Sequence, residues 1–82
     1  GEDMEVLAAE KGRRKLANPD EATELRRLRR LHEIPQHKVA AEARLDQGWL
    51  SRAERGQVPM PRKRARAIRR AIRELVAKRA GN

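Results

Sequence analysis

Gln47 and Arg52, five positions apart, carry the chemistry for which this chain is best equipped. A glutamine amide presents one donor and one acceptor in a plane, and a guanidinium presents parallel donors that fit two adjacent acceptors. Such groups suit flat hydrogen-bonding edges, Gln pairing with adenine and Arg with the O6 and N7 of guanine. Between them lie Gly48, which lets a backbone approach closely, and Ser51, whose hydroxyl can reach a base or a phosphate. A run of three bases, Arg62-Lys63-Arg64, follows two prolines and offers charge for anions. Nothing comparable points to catalysis. Glu54 has no second carboxylate, nucleophile or metal-ligand set beside it, and His32 and His37 are expected at the surface rather than on a metal. No phosphate-cradling glycine loop occurs, and no cofactor is expected.

These side chains need elements to hold them. From Gln36 to Gly56, QHKVAAEARLDQGWLSRAERG, the apolar spacing reads as two short helices joined by a tight turn. Val39, Ala40 and Ala43 share a face of the first helix, Gln36 to about Ala43, and Leu50 and Ala53 share a face of the second, Gln47 to about Arg55. Gln47, Gly48, Ser51 and Arg52 then point away from the buried side. Asp46 is placed to accept a hydrogen bond from the free N–H groups that open the second helix. Helices this short need each other and a third helix to bury their apolar faces.

In order and spacing, Gln36, Val39-Ala40, Ala43, Leu45, Asp46, Leu50-Ser51, Glu54 and Gly56 resemble the helix-turn-helix of Cro and lambda-repressor-like (XRE family) DNA-binding domains. The resemblance covers roughly residues 19 to 79. Two positions depart from the pattern: Arg44 stands where glycine is common, and Pro35 replaces a capping Ser or Thr. The resemblance implies an all-α fold, a small four- to five-helix domain, with the Gln47 helix in the major groove and base contacts from Gln47, Gly48, Ser51 and Arg52. It implies phosphate contacts from Gln36, His37, Lys38, Arg55, Arg62, Lys63 and Arg64, with Gln36 also bracing the start of the recognition helix. It implies a structural ion pair between Arg29 and Glu54. By analogy with repressors that carry N-terminal arms, Arg13, Arg14 and Lys15 are candidate arm contacts to DNA, the other reading being a solvated terminus.

Composition agrees with a polyanionic partner. The 82 residues hold 21 Lys and Arg against 12 Asp and Glu, a formal charge of +9. Residues 1 to 20 carry a net −1 and the remainder a net +10, so the basic charge travels with the two-helix unit. Sixteen of the bases are Arg, a bias that a GC-rich bacterial or phage genome would also produce. One Trp and no Phe or Tyr leave a core of Leu, Ile, Val and Ala, small enough that dimerisation would be an ordinary way to bury more apolar area. The absence of cysteine, and of any stretch resembling a signal peptide or membrane span, makes the cytoplasm the expected location.

The rest of the chain is support. Residues 1 to 17 read as a helical and basic leader, and residues 18 to 80 as the DNA-binding domain. Asn18-Pro19-Asp20-Glu21 combines three helix-start preferences, predicting a first helix from Pro19 to about Glu33 that buries Ala22, Leu25, Leu28 and Leu31. No Gly or Pro interrupts residues 62 to 79, which predicts one long C-terminal helix with a stripe of Ala65, Ile68, Ile72, Leu75 and Val76. The far end of that stripe, Leu75 and Val76, is expected to be exposed and available to a second subunit. Trp49 falls between the inward and outward faces, and packing at the edge of the domain is expected ahead of the other reading, stacking on DNA. The expected function is a homodimeric transcriptional repressor on an inverted repeat of double-stranded DNA. Two other readings fit the sequence: an antitoxin-like or phage accessory protein that binds a protein through the leader or the last helix, and a basic domain that binds nucleic acid without sequence preference.

Overall fold

A computed structural model describes residues 19–81, which form a small all-helical unit of four helices. These are α1 (Pro19–Leu31), α2 (Gln36–Ala43), α3 (Gln47–Glu54) and α4 (Arg62–Ala80). The leader, the Asn18 cap and the arm residues Arg13, Arg14 and Lys15 lie outside the described residues. Acids in the first turn of α1, Asp20 and Glu21, and bases in its last, Arg29 and Arg30, match the helix dipole. α4 reads the other way at its start, where the first turn holds three bases and no acid.

α3 leans on α1 and α2, and the long α4 lies across α1 and α2. The core where they meet is aliphatic: Leu25, Val39, Leu50, Ile68 and Ile72 are its largest fully buried side chains. Each such side chain contributes about 1.5–3 kcal/mol by leaving water. Ile34 and Met60, both in the connecting segments, are buried as well and plug the core from outside the helices.

Three of the four helices end in the same way. A backbone N–H reaches back over six residues to a helix carbonyl: Ile34 to Arg29 at 3.0 Å, Leu45 to Ala40 at 2.8 Å, Gln57 to Arg52 at 2.9 Å. Inside each of these, the N–H of the preceding residue donates a second bond, Glu33 to Arg30, Arg44 to Ala41 and Gly56 to Ala53, and that donor residue is left-handed each time: Glu33 (φ 53°), Arg44 (φ 58°) and Gly56 (φ 76°). This is the Schellman ending, which satisfies carbonyls that the helix leaves free. Only Gly56 adopts it without the Cβ penalty of about 1–2 kcal/mol.

Some expectations need correction. α1 stops at Leu31, two residues short of Glu33, because Glu33 turns left-handed. α3 ends at Glu54, with Arg55 as its cap, and α4 runs one residue further, to Ala80. Leu31 is 74% exposed rather than buried. It lies nine residues after Ala22, about two and a half helical turns, and so on the opposite side of α1. The inward place two turns from Ala22 belongs instead to Arg29. The end of the α4 stripe is not free either, since Leu75 and Val76 are half-buried against the core. Lys78 Nζ pairs with Glu42 Oε1 at 2.7 Å, and the Arg79 guanidinium donates to the carbonyls of His32 and Glu33. The last turn of α4 is thereby tied to α2 and to the end of α1.

Candidate nucleic-acid interface

α3 is positioned by a polar centre that no solvent-exposed helix could maintain. Glu54, with its side chain 4% exposed, accepts from Arg29 Nε and Nη2 at 2.8 Å each, a bidentate pair. Arg29 Nη1 donates to the Ile34 carbonyl at 3.0 Å, and Gln36 Nε2 donates to Glu54 Oε1 at 3.1 Å. No buried side-chain polar atom among the described residues lacks a partner. The centre therefore joins the inward face of α1, the first residue of α2 and the last residue of α3. Gln36 braces the end of α3, not its start, because the amino end of α2 passes beside the carboxyl end of α3. Its amide nitrogen is engaged inside the fold.

The start of α3 is fixed differently. Asp46 Oδ2 accepts from the Trp49 N–H at 2.8 Å, capping the helix. Leu50 and Ala53 are buried, while Gln47, Gly48 and Arg52 are exposed and Ser51 is half-exposed. A Cβ placed on Gly48 would sit 3.0 Å from Asp46 Oδ2 and 3.6 Å from Arg52 Nη1. The bare glycine leaves room both for the capping carboxylate and for the Arg52 guanidinium, which folds back one turn above it.

Positive charge brackets this helix. His37 and Lys38 are exposed in the first turn of α2, which the Gln36–Glu54 bond holds at the carboxyl end of α3. Arg62, Lys63 and Arg64 are exposed in the first turn of α4. Arg64 crosses to the amino end of α3, its guanidinium carbon 4.4 Å from the centroid of the Trp49 ring. Trp49 is half-buried and packs against the core. Arg55 is exposed at the end of α3, where its Nε donates to the Ser51 carbonyl at 3.3 Å.

The nearby acids are already committed, Asp46 to its cap and Glu54 to Arg29 and Gln36. Glu42 and Glu21 pair with Lys78 and Arg69, at 2.7 and 3.9 Å, on the body of the domain. Arg52, Arg62, Lys63 and Arg64 have no carboxylate partner among the described residues. No family model matches the chain, and neither a curated protein nor a solved structure matches it.

The arrangement can hold anions at both ends of α3 and present planar hydrogen-bonding groups between them. Among the described residues no three His, Asp or Glu side chains converge on a metal position. Among them, too, no helix is long and apolar enough to cross a membrane. The Arg64–Trp49 contact has no counterpart in the sequence pattern. Fifteen positions separate the two residues, and the only hint is that the one tryptophan flanks the exposed arc of α3.

Proposed function

We propose that this chain is a sequence-specific double-stranded DNA-binding transcriptional regulator, a helix-turn-helix domain of the Cro and lambda-repressor-like kind formed by α2 and α3. α3 enters the major groove with its amino end leading, where Gln47 and Arg52 meet base edges and Gly48 allows the backbone close to them. His37, Lys38, Arg55 and the Arg62–Arg64 cluster lie along the phosphates on either side. The chain acts as a homodimer on an inverted repeat with half-sites about one helical turn apart. It represses by occupying the site.

The observation that carries this reading is the exposed arc of Gln47, Gly48 and Arg52, set between two groups of bases that lack acidic partners among the described residues. Charge alone would serve a basic domain with no sequence preference, so the arc and the flanks have to be tested separately.

Selection of bound duplexes from a random pool at about 0.15 M salt does so, because at that ionic strength charges further apart than ~8 Å are largely screened. Arg52→Ala should relax the consensus at one position of each half-site, at a cost of about 1–3 kcal/mol there. Arg62→Ala should leave the consensus alone, weaken all sequences together and lower the salt slope by about 1. A pool that yields no consensus, with both variants weakened alike, removes the regulator reading in favour of the non-specific one. Capture of a stoichiometric protein partner by a chain that selects no DNA would favour the accessory-protein reading.

A further inference from the structure

The one tryptophan of the chain stands between α3 and α4. Trp49 is held twice, by the Asp46 carboxylate on its backbone N–H and by the core against its ring. The guanidinium of Arg64 lies over that ring at 4.4 Å. Stacking uses the flat face of a guanidinium and leaves its in-plane N–H fork free. Arg64 is exposed and has no carboxylate partner among the described residues. The guanidinium is thus held against the ring while no carboxylate among the described residues takes its donors. Around α3, Trp49 sits about 60° from Arg52, at the border between the exposed arc and the core. The stack therefore places Arg64 alongside the flank that Arg52 occupies.

We infer that Trp49 is a positioning residue that holds Arg64 ready for one backbone phosphate, on the strand running past the Arg52 side of α3. The inference rests on the DNA-binding reading above. Phosphate is the acceptor that suits the place. Arg64 rises from the first turn of a 19-residue helix beside Arg62 and Lys63, where the free N–H groups and the dipole also favour an anion. A two-oxygen edge of phosphate matches the fork. The indole removes rotamer freedom that the arginine would otherwise lose on binding, so the loss is borne by the fold rather than by the complex.

The test is a thermodynamic cycle read by titration of a labelled duplex at several salt concentrations, with helicity and melting checked for each variant. The variants are Arg64→Ala, Trp49→Leu, Trp49→Phe and the combination of Trp49→Leu with Arg64→Ala. Arg64→Ala should weaken binding to the selected site and to an unrelated duplex alike, about tenfold, and lower the salt slope by about 1. Trp49→Leu should reproduce most of that loss, the combination should be no weaker than Arg64→Ala alone, and Trp49→Phe should restore the coupling. Losses that multiply in the combination overturn the inference, as does a consensus that changes in Arg64→Ala, which would assign a base edge instead. Should Trp49→Leu not fold, Arg64→Lys decides, because it keeps the charge and loses the planar fork. Several-fold weaker binding supports the stack, and unchanged affinity sinks it. A wild-type chain that binds every duplex equally defeats the regulator reading, and the cycle can still be read from the salt slope. A chain that binds no duplex defeats both.

Discussion

Arg29 and Arg52 are the same residue in opposite circumstances. Arg29 directs all three of its guanidinium nitrogens to acceptors inside the fold, and its carboxylate partner is almost fully buried. Arg52 is exposed, folds over a glycine and has no carboxylate partner among the described residues. The first fixes where α3 lies, and the second is what α3 presents. An arginine with each guanidinium nitrogen engaged contributes geometry, whereas one whose donors are open can still form its bonds elsewhere. Arg52 depends on Arg29, because a planar donor group held within a fraction of an ångström needs a helix that does not shift.

The sharpest way to break that contrast is to disarm the inner arginine. Glu54→Ala leaves Arg29 and Gln36 facing a buried space without the carboxylate, and should lower unfolding stability by about 3–5 kcal/mol. Denaturant melts would show it. Replacing the pair together, Arg29→Met with Glu54→Leu, should recover most of the loss, because the pair itself adds little beyond a well-packed apolar substitute. If the single and paired substitutions cost the same, the centre is not acting as a coupled unit. By contrast, Arg52→Ala should move the melt by less than about 0.5 kcal/mol, the usual scale for an exposed site.

A third arginine belongs to neither class. Arg44 is exposed, and its position is decided by the backbone, which turns left-handed to close α2. Arg44→Gly removes the Cβ strain but adds freedom to the unfolded chain, so it should stabilise by about 0.5–1 kcal/mol. Gly56→Ala at the equivalent turn should destabilise by about 1 kcal/mol, since nothing near Gly56 compensates the forced φ. If both substitutions shift the melt in the same direction, the two endings are not equivalent.

What could be read from the sequence divides along the same line. Local preferences were legible: Asp46 before a short amphipathic run gave the cap, and Val39, Leu50, Ile68 and Ile72 fell on buried faces because helical period alone decides them. Leu31 shows the limit of that rule, since an apolar residue near the end of a stripe says little about which side of the helix it occupies. Contacts between distant residues left no local trace. Arg79 reaches the end of α1 across 47 positions, and Arg64 meets Trp49 only because α4 begins beside the start of α3. Ile34 and Met60 sit in connecting segments, where no period exists to mark them as core.

The smallest effect concerns the pair between the two extremes, Lys78 with Glu42, which is tightly made yet open to water. The hydrogen bond and charge of Glu42 raise the Lys78 ammonium above its ordinary value of 10.5. A group raised by folding stabilises the native chain while it is charged in both states, and that contribution fades as pH climbs through the raised value. The window therefore opens above about 10.5. Lys78→Gln should lower stability slightly near neutrality, with the difference from wild type closing as pH climbs above about 10.5, so that the alkaline end of the profile is flatter. Because the ammonium is fully exposed, the difference should also shrink as salt is added. The inner pair behaves otherwise, since Glu54 is shielded from the ions that screen Glu42. An alkaline loss that persists in Lys78→Gln would place its source elsewhere in the chain, and a loss indifferent to salt would show that the outer pair behaves like the inner one.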